Sequence, residues 1–561
     1  MFRAPQNPVK NNMFRSSLLA ASALIALASA AMAAEPLNGQ RIVKDVQVLA
    51  SDAYEGRGPA TAGEAKTVDY IVGQLKAAGV QPGAPGGSYT QDVPLGRYEI
   101  TGAPRFSFAS GGQTVPLAQG EQIAVRAAQL NIGHVAVQDA PIVFAGYGVK
   151  APERNWDDFK GMDVKGKVIV VLINDPDFET GQGDFGGKAM TYYGRWTYKY
   201  EEGARLGAAG VLIVHETAPA SYGWATVKNS NTNVQFDIVR ENPRSAHPPV
   251  EAWIQRDAAV ELLRRAGLDY ETLKKQAQSR DFRPVELKGQ TFTAHFDVDH
   301  KVITSKNVVG RLPGKGHPDE TVIYSAHWDH LGVGLPDAKG DRIYNGAVDN
   351  ADGVATVLEI ARTFAKAPRT DRSVAFLFVT AEEKGLLGST YYAAHPVFPP
   401  EKTAGVINID ALAADGPSRD MTTSGSAQLQ LQDLFVAQLK AEGRYFTPDP
   451  VPEAGHFYRS DHFPLAKVGV PAISVGSGED LVSGGKAAGK AAGEAYVKDR
   501  YHQPADEYDA SFNVTGIAQD AGLLYRLGAG LANSRAWPEW GAGSEFKAAR
   551  DKTAAARRAA R

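Results

Sequence analysis

The sequence contains no cysteine in 561 residues, and that absence closes several chemistries. A disulfide framework, a thiolate zinc finger, an iron–sulfur cluster and a cysteine nucleophile are all excluded. Any metal site must therefore rest on histidine and carboxylate. A strong charge of either sign is also missing: 60 basic residues stand against 63 acidic ones, a net −3, which argues against a chain built to hold nucleic acid. Beyond residue 33 no segment reaches the about 20 apolar residues of a bilayer span, and no internal repeat is evident. What is present is ordinary for a globular protein, with 43% hydrophobic and 22% charged residues. At roughly 100–200 residues per domain the length allows two or more.

Residues 1–33 read as a cleaved signal peptide. Arg3, Lys10 and Arg15 precede the apolar run 18–30, and Ala31-Met32-Ala33 supplies the small-x-small cleavage pattern, with Met13 as an alternative start. The run is too short for an anchor, so the expected location is periplasmic or secreted, without stable membrane insertion. At the other end, in residues 541–561, the stretch from Lys547 on carries Lys547, Arg550, Lys552, Arg557, Arg558 and Arg561 against Asp551. With no large apolar residue after Phe546, this stretch reads as a solvated, disordered basic tail.

Between these ends the pattern changes twice. Val43, Val46 and Leu49, then Val68, Ile71, Val72 and Leu75, recur at helical spacing on either side of the Gly-rich turn 55–58. After extended chain over 90–130, a β-rich block begins near Pro141 and ends near Pro249. Its aromatic loop (Tyr192, Tyr193, Trp196, Tyr198) reads as core packing. From about residue 303 strands alternate with helices, the signature of a parallel or mixed α/β sheet. Strands are expected over 321–326, 373–380, 405–409 and 471–475, and a helix over 349–364.

Chemistry-bearing residues gather where those strands stop. His327 and Asp329, Glu382 and Glu383, and Asp410 each follow a strand, and loops add Asp349 and His502. Open α/β sheets place ligands at the carboxyl ends of their strands. Imidazole and carboxylate donors suit zinc, manganese or cobalt. A pair of ions needs about two to three protein ligands each and a bridging carboxylate, which His327, Asp349, Glu383, Asp410 and His502 supply. Glu382, free to face the cavity, is the expected general base. Bland alternatives exist, since Asp349 at a helix start also reads as an N-cap, and Asp329 as a brace for the second nitrogen of His327. His134, His215, His247, His317 and His395 read as surface or packing residues.

Five segments carry a family resemblance: 326–330 (Ala-His-Trp-Asp-His), 345–353 around Asp349, 381–389 around Glu382 and Glu383, Asn408-Ile409-Asp410, and 501–507 around His502. In that order they resemble the metal-site motifs of the co-catalytic dizinc aminopeptidases, a family that includes glutamate carboxypeptidase and the transferrin receptor ectodomain. The block 141–255 is similar to the protease-associated domain often inserted there. The resemblance implies a three-layer αβα mixed-sheet zinc-peptidase domain in two parts, 34–140 and 256–540, interrupted by that insert. It implies two zinc ions bridged by Asp349, one completed by His327 and Asp410 and the other by Glu383 and His502. Asp329 would fix the tautomer of His327, and Tyr458 would donate to the developing oxyanion. The implied activity is removal of N-terminal residues from peptides. Alternatives are a carboxypeptidase, with Arg459 as clamp for the substrate carboxylate, a non-catalytic binding protein, and a cyclase-like transferase. Residues 476–499, rich in Gly, Ala and Lys, are expected to form a mobile rim.

Overall fold

The computed structural model describes residues 37–127, 132–425, 428–542 and 544–559. The expected signal peptide, residues 1–33, lies outside them. Two capped helices lead. In α1 (Gly39–Leu49) the Asn38 side chain accepts the amides of Gln40 and Arg41, and in α2 (Ala62–Ala77) Thr61 accepts those of Gly63 and Glu64. Strand β1 (Thr90–Ser110) then runs out of the first body into an insert. The insert contains β2 (His134–Phe144), β3 (Val168–Leu172), α3 (Trp196–Arg205), β4 (Gly210–His215), α4 (Trp224–Asn231) and β5 (Val250–Gln255). Strands β2, β3, β4 and β5 pair in that order, all parallel. Strand β6 (Val285–Leu312) returns antiparallel to β1 along most of its length.

The second half carries β7 (His317–His327), α5 (Asp352–Lys366), β8 (Arg372–Val379), β9 (Thr403–Ile409), β10 (Ala472–Ser477), α6 (Gly485–Asp499) and α7 (Val514–Ala532). In the sheet the order is β6-β8-β7-β9-β10, with β6 antiparallel to β8 and the other pairs parallel. Strands β8 and β9 are buried at every residue, as a sheet covered on both faces requires. On one face Ile42, Val46 and Leu49 of α1 pack with Val354, Val357 and Phe364 of α5 and Ile517 and Leu524 of α7. Opposite them Tyr392, Phe398 and Leu465 cover Val309, Ile323 and Leu377. These are the three layers expected. The chain places β8 on one side of β7 and β9 on the other, so the strand order switches at β7, where ligands collect.

Three expectations on organisation change. The insert is larger than 141–255: Tyr98, Phe106, Phe108, Phe292 and Phe296 share one core with Ile142 and Leu212, because β1 and β6 extend through both bodies. Residues 485–499 form α6 rather than a loose rim; five alanines in 15 residues outweigh the glycines in helix propensity. The basic tail folds back as well. Phe546 stacks on Phe457 at 5.5 Å, Arg550 donates to the Thr403 and Pro400 carbonyls at 3.2 and 3.3 Å, and Arg557 pairs with Glu539. Buried guanidinium tips satisfying backbone carbonyls leave no apolar stripe in the sequence to announce them.

Candidate metal centre

His327 closes β7 beside Val379, the last residue of β8. Its Nε2 lies 3.0 Å from Asp410 Oδ1 and 3.2 Å from Asp349 Oδ1. On the other side, His502 Nε2 lies 2.9 Å from Glu383 Oε2 and 3.3 Å from Asp349 Oδ2. The structure thus brings all five candidate ligands together, and the two oxygens of Asp349 face different histidines. Donors bound at about 2.0–2.1 Å to one tetrahedral zinc ion sit about 3.3 Å apart, so each cluster has the spacing of a shared ion. Buried carboxylates also outnumber imidazoles here, which favours divalent cations. The donor set therefore fits zinc.

Asp349 does not cap α5: the cap position is Ala351, with no side-chain bond, and Asp349 itself is non-helical. Its amide donates to Asp506 Oδ2 at 3.1 Å, as does that of Val348 at 3.3 Å. Asn350 ties the same loop to β9 through the Ile409 carbonyl at 3.0 Å. From the front of the chain Arg57, fully buried, donates to the carbonyls of Leu49, Trp328, Asn345 and Gly346. Four elements are locked around the Asp349 carboxylate.

Asp329 acts differently from expectation. Its backbone carbonyl, at 3.1 Å, receives His327 Nδ1, whereas its carboxylate stands 3.8 Å from that atom. The carboxylate instead accepts the backbone N–H of Glu382 at 3.0 Å and of Glu383 at 3.4 Å. It shapes the loop that presents both glutamates, flanked by Ala381 and Leu386 in left-handed backbone. Such conformations cost about 1–3 kcal/mol each and persist where surroundings impose them.

Glu382 stands apart from the ligand clusters, with Oε2 4.0 Å from His327 Nε2. Burial, reinforced by Asp410, Glu383 and Asp461 against His327, raises its carboxyl well above the usual range, suiting a group that must take a proton. Glu383 is held at about 2: burial opposes the charge, but His502 and His330 outweigh it. His502 is pushed up to about 9 against burial by Glu383 and Asp349.

Tyr458 is turned elsewhere. Its hydroxyl approaches Glu545 Oε1 at 3.5 Å, and its ring packs on Phe463 and Tyr192. The folded-back tail, invisible in the sequence pattern, supplies that partner. Four residues carry no role in the sequence reading. His330 Nδ1 lies 2.6 Å from Glu383 Oε1; its place three residues past His327 was the available signal. Tyr501 stacks on His502 at 3.9 Å and accepts from Arg459 at 3.1 Å. Ser230 of the insert bonds His502 Nδ1 at 2.8 Å, and the Asn229 amide donates to the His502 carbonyl at 3.0 Å; no sequence signal points to either. Asp461 accepts from Ser389 at 2.6 Å, and His462, kept at about 3 by burial, meets the Phe457 ring, so both brace the loop.

Two cavities meet at Glu382 and His502. One, ≈ 310 Å³, is lined by Asp349, Asp410, Thr423, Asp449, Val475 and Tyr496. The other, ≈ 500 Å³, is walled by the insert, including Tyr192 and Trp196 of the aromatic loop, which faces a cavity as well as packing. His247 also borders it, between Asp237 and Glu251 at 2.5 and 2.7 Å.

Residues 307–522 match the sequence profile of Peptidase family M28. Leupeptin-inactivating enzyme 1 of Streptomyces exfoliatus is 27% identical over 259 residues, 44% of this chain and 54% of that protein. A probable lipoprotein aminopeptidase, LpqL, of Mycobacterium tuberculosis is 26% identical over 264 residues, 43% and 49% of the two chains. The chain spans about half the length of these curated relatives. An aminopeptidase from Aneurinibacillus sp. strain AM-1 shares the fold, with a TM-score of 0.52 at 19% identity over 88% of this chain and 95% of that one.

Proposed function

We propose that this chain, whose residues 307–522 match the profile of Peptidase family M28, is an exported aminopeptidase of that family that uses two zinc ions. The observation that carries it is the split of Asp349, one oxygen toward His327 and the other toward His502, with Glu382 beside both clusters. His327, Asp349 and Asp410 would hold one ion, and His502, Asp349 and Glu383 the other. Zinc bound there supplies Lewis acidity to the scissile carbonyl and acidifies a water.

The remaining work belongs to side chains. Glu382 accepts a proton from the attacking water and returns it to the departing amine as the C–N bond breaks, so protons balance within one turnover. Asp329 fixes the backbone from which Glu382 projects. The expected oxyanion role passes from Tyr458 to Tyr501, whose position against His502 and Arg459 sets a hydroxyl at the meeting of the two cavities. Export rests on the sequence of residues 1–33; among the described residues no helix is long and apolar enough to cross a membrane.

The test is Glu382→Gln with metal content measured alongside hydrolysis. Zinc is expected to stay bound while release of N-terminal residues fails. N-acetylated peptides cut as fast as free ones would replace the aminopeptidase reading with another hydrolase.

A further inference from the structure

His330 stands outside the five ligands, and no hydrogen bond accounts for it. The ring is fully buried, and among the described residues neither of its nitrogens has a hydrogen-bond partner. Its Nδ1 nevertheless lies 2.6 Å from Glu383 Oε1, an atom that is buried and equally without a hydrogen-bond partner. At that separation only direction disqualifies a hydrogen bond, so the two atoms are close but not aimed at each other. Buried polar atoms left unpaired are costly, and a cation placed between these two satisfies both at once.

The backbone makes room for this ring. Gly346 has φ +54°, and a Cβ there would come 2.6 Å from His330 Cγ, so only glycine lets the loop that carries Asp349 pass so close. His330, Asp349 and Glu383 each offer a donor atom within 4.8 Å of those of the other two. Glu383 lies between two imidazoles: its Oε1 is 2.6 Å from His330 and its Oε2 is 2.9 Å from His502. The two rings stand 5.6 Å apart, centre to centre. Two imidazoles on one tetrahedral ion, each bonded at about 2.0–2.1 Å, place their centres roughly 5.2 Å apart. The observed spacing is close to that of a shared ion.

We propose that His330 is a further protein ligand of the second ion, beside Asp349, Glu383 and His502. The proposal rests on the two-zinc reading and makes the two halves unequal. Four protein donors close the second half, as in zinc sites that hold structure, whereas His327, Asp349 and Asp410 leave the first half the open position that catalytic sites keep. The second half is then the tighter one. The place for water and the scissile carbonyl belongs to the His327 half, beside Glu382.

Zinc-loaded crystals of the full chain test this without any variant. Anomalous scattering is expected to place one ion about 2.0–2.1 Å from a His330 ring nitrogen, and ions more than roughly 3 Å from both nitrogens overturn the ligand. In solution, competition with a chelator reads the two zinc affinities separately. His330→Ala should weaken the tighter step by more than the roughly 10- to 100-fold that loss of a ligand's outer partner costs. The weaker step should stay unchanged, and added imidazole, filling the space, should restore part of the tighter one. A loss within that range without rescue by imidazole would make His330 a brace for Glu383 and overturn the proposal. Should the variant fail to fold, the wild-type crystal decides. Two ions with His330 bound, in a protein that releases no N-terminal residues, would uphold the ligand and overturn the aminopeptidase reading. Release of N-terminal residues with His330 unbound would do the reverse. A single ion bound by His330 would uphold the ligand and remove the two-zinc reading.

Discussion

The two halves of the proposed metal centre are held by different parts of the molecule. His327 is fixed within its own layer: it ends a buried strand, and its Nδ1 meets the Asp329 carbonyl two residues on. His502 sits in a loop with left-handed backbone, φ 56°, and its Nδ1 meets Ser230 from the insert, 272 residues away in sequence. One half is therefore a property of the α/β fold, and the other depends on a body threaded into it by β1 and β6. The insert does more than cover the site. It holds His502 through Ser230 and, through Arg195, walls the larger cavity.

Substitutions can break or sharpen that contrast. The largest effect is expected from Asp349→Ala, which removes the carboxylate that faces both histidines. Zinc measured after dialysis should fall at both positions, and turnover should drop to background. Glu382→Gln comes next, with kcat down roughly 10²- to 10⁴-fold and zinc content unchanged, since the residue serves neither half as a ligand. Ser230→Ala addresses the contrast itself. Loss of a partner that orients a metal-bound histidine costs about 10- to 100-fold in metal affinity, and one ion alone should weaken.

The smallest effect concerns how the insert holds its shape beside the site. Burial disfavours charge on His247, but Glu251 and Asp237 outweigh it and push the imidazole up to about 9. Its folded pKa is thus raised above the unfolded 6.5. Its contribution is fully present below pH 6.5 and is lost as the pH rises through 9. It amounts to at most about 3 kcal/mol. Urea unfolding from pH 6 to 9.5 should show this decline in the wild type and a flatter profile in His247→Gln.

The contrast also explains what was legible in the sequence. His327, Glu382, Glu383 and Asp410 could be read because each directly follows an apolar strand, and strand ends converge in an open sheet. Asp349 and His502, on loops, were read from donor type and motif. Ser230, Asn229 and Arg195 were not legible, because long-range pairing of β1 with β6 brings the insert over the site. Tyr458 misled for a similar reason: what its hydroxyl meets, Glu545, belongs to a tail whose composition suggested solvent. His247 looks bland in the sequence because its two carboxylate partners become neighbours only in the folded insert.

Zinc titration of the metal-free protein, wild type beside Ser230→Ala, tests the central claim most directly. Two ions per chain are expected to bind the wild type, with the variant weakened at one step by roughly 10- to 100-fold and unchanged at the other. A single ion in the wild type, or equal weakening of both steps in Ser230→Ala, would contradict a bridged centre of which only one half leans on the insert.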